Sequence, residues 1–342
     1  MIVSHDDLKN FFRKVAQDFD IFLPYELELE LGGDNLSYRK FSGDINFVLD
    51  KYRAIEPVKT LFYFPIEEVL PAPSGERKRI VAGVKNCDLL GLDVLDSALL
   101  EGDFEEPAYK KWRENTYIIS TDCMDALPTC HCVLLGNNPF PENGEKGRAL
   151  FDLNITPLEE DFFITVGSEK GEELLRMIKK HVHLLEATTV DRDKIEAIHA
   201  EMLKKLRDIN NDYSMDRKYD VISDNRDKET WQEFCKDCIE CGGCTNICPT
   251  CYCIILNDES QGDEFRKIRT WDSCQLSGYA RVAGGASPRP ELWERFRNRY
   301  QCKFNFMMSN FNKLGCTGCG RCISTCPAEI DLREVIQSLQ EV

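Results

Sequence analysis

The sequence predicts an α+β chain: an α/β-like N-terminal domain over 1–188, a helical linker over 189–222 and a small helix-and-loop domain over 223–342. Three observations predict this. The first part mixes short apolar runs with helix-period stretches, without strict alternation. Residues 189–217 turn charged and keep helical spacing. The last part repeats one cysteine pattern, Cys238-x2-Cys241-x2-Cys244-x3-Cys248-Pro249 and Cys316-x2-Cys319-x2-Cys322-x3-Cys326-Pro327.

The elements follow in order. Leu8, Phe11, Phe12 and Val15 recur at helical intervals within 5–19, and Ser4 stands where an N-cap is needed. Apolar runs separated by turns come next: IFLP (21–24), LELELGG (27–33) and TLFYFP (60–65). RIVAGVK (79–85) reads as a buried strand that opens at Asn86-Cys87-Asp88 into a helical pattern, LLGLDVLDSALL. A second strand, TYIIS (116–120), runs into Thr121-Asp122-Cys123. Strands are also expected at ALFDLNIT (149–156) and DFFITVG (161–167), then a helix over SEKGEELLRMIKK.

The repeated pattern carries the chemistry. Three thiolates at i, i+3 and i+6 wrap one iron–sulfur cube, and the fourth cysteine, ahead of proline, reaches the other cube. Cys238, Cys241 and Cys244 thus pair with Cys326, while Cys316, Cys319 and Cys322 pair with Cys248. Two [4Fe-4S] clusters in one ferredoxin-like dicluster domain follow, and a chain that moves electrons. Zinc also uses Cys-x2-Cys pairs, but its ribbons separate two pairs by a long spacer. Gly242, Gly243, Gly318 and Gly320 lie between ligands, where a missing Cβ permits close approach to sulfur.

Composition narrows the class. The net charge of −16 argues against nucleic acid as partner. Residues 221–342 hold 15 basic and 17 acidic residues, so nearly all of the excess lies earlier. Arg281, Arg289, Arg295, Arg297 and Arg299 either offset cluster charge or form a solvated face. No apolar run reaches the roughly 18 residues of a membrane span, and MIVSHDDLKNFF lacks the form of a secretory signal. A cytoplasmic chain without membrane insertion is expected, its seventeen cysteines serving metal rather than disulfides. No Gly-x-Gly-x-x-Gly follows a strand and no Walker pattern occurs, so neither flavin nor nucleotide is expected on this chain. Electrons from a nicotinamide would enter through another subunit.

Nine cysteines lie outside the two motifs. Cys235 extends the first triplet backwards, but only the register from Cys238 ends in x3-Cys-Pro, which leaves Cys235 a small buried apolar residue. Cys251 and Cys253 are expected to pack beside a cluster, and Cys274 and Cys302 lie in the spacer without a readable role. Cys87, Cys123, Cys130 and Cys132 differ. If the strands ahead of Cys87 and Cys123 are neighbours, all four thiols converge at the strands' carboxyl ends. That set suits a third [4Fe-4S] cluster, or buried thiols, or a zinc site with His131 as an alternative ligand.

With these residues assembled, the chain resembles the iron–sulfur subunit family shared by anaerobic sulfite reductase and cytoplasmic sulfhydrogenase, in the latter as its beta subunit. The likeness covers VKNCDLLGLDVLD (84–96), DC…CHC (122–132), CGGCTNICPTCYC (241–253), RTWDSCQ (269–275), RVAGG (281–285), RFRNRYQCK (295–303) and GCTGCGRCISTCPA (315–328). It departs at GGASPRP (284–290), where an aromatic or His-containing loop is expected, which bears on the partner surface. The resemblance implies a third cube at Cys87, Cys123, Cys130 and Cys132. It also implies a separate flavoprotein (diaphorase) subunit that takes hydride from NAD(P)H. The onward partner would be a sulfite reductase, a hydrogenase or a heterodisulfide reductase. Two alternatives are a catalytic subunit reducing sulfur compounds at the N-terminal cysteines, and a zinc-stapled scaffold without redox function.

Overall fold

Ser4 does cap the first helix: its hydroxyl accepts from the Asp7 amide. A computed structural model describes residues 1–28, 35–43, 46–70, 77–142 and 149–341. The chain opens with β1 (Ile2–Ser4), α1 (His5–Val15), β2 (Asp20–Glu26), β3 (Leu36–Lys40) and β4 (Ile66–Leu70). The run TLFYFP is not a strand; a 3-10 turn at Val58–Leu61 leads through it, and Phe62 and Tyr63 are buried. LELELGG falls mostly outside the described residues. Next come β5 (Arg79–Val84), α2 (Asn86–Leu99), α3 (Pro107–Glu114), β6 (Thr116–Thr121), β7 (Leu153–Pro157), β8 (Asp161–Val166) and α4 (Glu169–His181). β7 starts later than the apolar run suggests, because Asp152 turns its carboxylate onto the Ile118 amide and the Ser168 hydroxyl.

Seven of these strands form one sheet in the order β1-β8-β7-β6-β5-β2-β3. Its centre, β2, β5, β6 and β7, is parallel, and the flanking pairs are antiparallel. Parallel strands are covered on both faces, which is why β5 and β6 are buried along their whole length. One face packs on Phe11 and Phe12 of α1 and Leu174 and Ile178 of α4. The other packs on Leu89, Leu92 and Leu95 of α2 and Tyr109 of α3. Gly83, at φ +81° and against Pro24, makes a bulge that resets the alternation just before Cys87.

The rest runs α5 (Thr189–Ile209), α6 (Asp220–Asp224), α7 (Lys228–Cys235), α8 (Gly243–Asn246), β9 (Ile254–Gln261) and β10 (Glu264–Trp271). It ends with α9 (Leu292–Gln301), a π turn at Cys302–Phe306, α10 (Met307–Phe311), α11 (Arg321–Ser324) and α12 (Leu332–Glu341). Trp231, Phe296, Tyr300, Phe304 and Ile336 hold α7, α9 and α12 in a separate core. β10 pairs with β9 and with β4, so a second sheet ties the early chain to the spacer between the cysteine motifs. No helix among the described residues is long and apolar enough to cross a membrane.

Candidate iron–sulfur sites

Gly242, in left-handed conformation at φ +70°, starts the short helix α8 and so bends the first triplet around a cleft of about 480 Å³. Cys238, Cys241 and Cys244 line this first cleft, and Cys326 joins them from the second motif. Phe296, Arg299 and Pro327 complete part of the wall. Cys241 is exposed, whereas the other three are partly buried. Around α11 the second triplet repeats the turn, with Gly320 at φ +70°. Cys248 lies near enough to Cys316 and Cys322 to act on both electrostatically. The second motif's fourth cysteine, Cys326, therefore lines the first triplet's cleft, and the first motif's, Cys248, lies near two cysteines of the second triplet.

The four N-terminal cysteines also come together. β5 and β6 are parallel neighbours, and Cys87 and Cys123 follow directly from their carboxyl ends. With Cys130 and Cys132 they line a cleft of about 420 Å³, closed by Tyr52, Arg53, Met202 and Leu206. His131 does not line it. The ring is fully buried, with Nδ1 3.0 Å from the Thr129 carbonyl and Nε2 3.8 Å from Cys316 Sγ. Among the described residues no trio of His, Cys, Asp or Glu converges closely enough for a single metal ion. Thiols spread around a cleft fit a cube, in which each sulfur meets a different iron.

Burial pushes the Cys123 and Cys244 thiols up to about 12 and raises Cys87, Cys132, Cys316 and Cys322 as well. Binding iron as thiolates therefore releases protons. Cys248 moves the other way. A hydrogen bond with Cys251 lowers it against the effect of burial, helped by Lys303 and Lys59. Cys251 thus does pack beside a candidate ligand, and Cys253 takes the Tyr279 hydroxyl at 3.6 Å. Cys235 is buried in the C-terminal core, its thiol 3.6 Å from the Gln232 carbonyl.

Several residues that shape the sites escaped the sequence reading. Asp88, beside Cys87, and Arg321, between Cys319 and Cys322, form a bidentate ion pair at 3.0 and 2.7 Å with both side chains 1% exposed. Asp88 also accepts from the Val58 amide, and Arg321 donates to the Ala54 and Ile55 carbonyls. Arg53 donates to the Cys319 carbonyl at 2.7 Å. A Cβ on Gly318 would lie 2.4 Å from Cys132 Cα, and one on Gly320 2.2 Å from the Thr129 carbonyl oxygen. Their approach is to the 129–132 loop; of the four glycines expected to approach sulfur, Gly243 lies close, at 3.5 Å from Cys241 Sγ by the same measure. α5 lies over the N-terminal cleft. Its His199 bonds buried Asp122 at 2.8 Å and stacks on Phe140 at 3.7 Å. Of the five arginines weighed from sequence, Arg281 is exposed, Arg295 is buried against Glu240 at 2.8 Å, and Arg299 is buried between Cys244 and Cys322.

The 4Fe-4S dicluster domain family matches residues 237–330. The chain is similar to the sulfhydrogenase 2 subunit beta of Pyrococcus furiosus, 30% identical over 306 residues that cover 86% of this chain and 85% of that protein. It is also similar to a formate dehydrogenase subunit beta of Methanocaldococcus jannaschii, 23% identical over 183 residues, or 52% of this chain and 38% of that protein. A formate dehydrogenase 1 subunit beta of Methanococcus maripaludis is 32% identical over 93 residues, 27% of this chain and 22% of that protein. No solved structure matches the chain. Two cysteine motifs in a dicluster domain, within a likeness spanning most of both chains, place this protein in the family of iron–sulfur electron-transfer subunits to which the sulfhydrogenase beta subunit belongs.

Proposed function

We propose that the chain relays single electrons between an NAD(P)H-linked flavoprotein and a sulfite reductase, hydrogenase or heterodisulfide-reductase-type partner. It binds three [4Fe-4S] clusters in this reading, and no flavin or nucleotide. One observation carries it: the second triplet contributes to both neighbouring clefts. Cys319, with Thr317 and Gly318, lines the N-terminal cleft, and Cys322 lines the first-triplet cleft. On this reading the second triplet's site lies between two thiol-lined clefts and borders each of them, and tunnelling rates fall steeply with any gap between carriers.

The cubes supply one-electron storage, the counterpart of the two-electron hydride handled by a flavin. The chain's own residues hold the row rigid. Arg321 and Asp88 lock the second triplet to the N-terminal helix α2, and Arg53 fixes the Cys319 backbone. Burial of both ion-paired side chains and of Arg53 keeps water from between the sites.

Anaerobically purified protein is expected to carry about eight to twelve irons per chain, as two or three cubes require. Cys241→Ser and Cys319→Ser should each abolish one EPR signal and block dye-linked electron transfer in the assembled complex. Full coupled activity with a signal gone would overturn the relay. Reduction of sulfite or polysulfide by the isolated chain with a reduced dye would instead favour catalysis at the N-terminal cysteines.

A further inference from the structure

Arg299 and Lys303 stand four residues apart across the junction of α9 and the π turn, and both are buried. Like charges at this spacing repel, and a buried charge needs a counter-charge. Among the described residues neither meets a carboxylate. Arg299 Nε has no hydrogen-bond partner in the protein, and the side chain lines one cleft together with Cys244 and Cys322. Lys303 Nζ donates to Thr250 Oγ1 at 2.6 Å, and that oxygen is 3.2 Å from Cys248 Sγ. Burial opposes the charge on Lys303, yet the Cys248, Cys251 and Cys302 sulfurs hold its pKa well above the ordinary lysine value. Lys303 thus borders Cys248 of the central site, while Arg299 stands between Cys322 of that site and Cys244 of the first triplet.

The flanking sites are different. Beside the N-terminal cleft, Arg321 is neutralised by Asp88, and Lys85 sits near the Asp122 carboxylate while donating to the carbonyls of Leu49 and Asp122. At the first-triplet cleft, which Arg299 also lines, Arg295 is paired with Glu240, and Cys241 is exposed, so water screens the site. Reduction adds one negative charge to whichever site receives the electron. Uncompensated cations in a low-dielectric surround favour that charge most strongly where they are.

Resting on the relay reading, we propose that Lys303, with Arg299 shared between the central and first-triplet sites, makes the central site the electron well of the row, the first to be reduced and the last to be emptied. The test is an EPR-monitored redox titration of the anaerobic full-length chain, with the central signal identified as the one that Cys319→Ser removes. That signal is expected to appear first on reduction. Lys303→Met should shift its midpoint to lower potential at unchanged iron content while the Cys241-dependent signal stays in place, and Arg299→Gln should lower both midpoints. Lys303→Arg and Arg299→Lys should restore the midpoint. If one neutral variant loses iron, the other carries the comparison. A central signal that appears last, or that does not move in an iron-replete neutral variant, overturns the electron well and leaves the relay standing. An iron-free preparation overturns both.

Discussion

Gly318 stands where two cysteine sites touch, and its missing side chain is what lets them touch. Its φ of +73° and the 2.4 Å that a Cβ would leave to Cys132 Cα rule out any ordinary side chain without movement of the 129–132 loop. Gly318→Ala should cost about 1–3 kcal/mol. Iron is expected to be lost first from the N-terminal cleft, read by iron analysis and by the thermal midpoint against wild type. His131, next in that contact, gives a pH signature in the cluster-free chain. Burial presses its pKa from 6.5 to about 4, so the unfolded chain takes up a proton that the folded chain refuses. Stability should be level above pH 6.5 or so, fall as the pH drops towards 4, and lose up to about 3 kcal/mol across that window. Urea titrations at several pH values should show the slope, and His131→Gln should remove it. The cysteines themselves were legible in sequence because their pattern is local. Asp88 and Arg321 were not, since each carries an ordinary surface residue type and its partner lies at the far end of the chain.

At the scale of elements, β5 and β6 were legible because strands buried on both faces are nearly continuous apolar runs. Their parallel pairing turned the conditional convergence of Cys87 and Cys123 into a shared cleft. The β9–β10 hairpin was not legible. IILNDESQ lacks a clear alternation, and the strand that completes its sheet, β4, comes from nearly two hundred residues earlier. What holds β10 to β4 is partly Arg269, which is 1% exposed and pairs with Glu67 and, at 2.8 Å, Glu106. Arg269→Met should leave those carboxylates stranded and cost about 3–5 kcal/mol. Amide exchange should quicken across 254–271, with the sheet of seven strands unaffected; equal quickening in β5 and β6 would contradict this assignment.

Across the whole molecule the acidic excess is confined to the first two thirds, while the part with both motifs is close to neutral. That near-balance was visible in composition, but its meaning was not. Much of the C-terminal positive charge is internal: Arg295, Arg299, Lys303, Arg321 and Arg333 are all buried. The charge that faces solvent there is correspondingly more negative than the count suggests. Electrostatic docking is thereby biased towards partners with basic surfaces, and raising the salt concentration should slow association with such a partner without altering the absorbance of the isolated chain.

The exposure of Cys241, alone among the twelve cysteines assigned to the three sites, has a further consequence. With clusters bound at all three, molecular oxygen arriving from solution would reach that exposed sulfur more readily than the partly buried and buried ones. Damage on brief exposure to air would begin at the first-triplet end and open the circuit there, while the interior sites, shielded by Arg321, Arg53 and α5, keep their colour for longer.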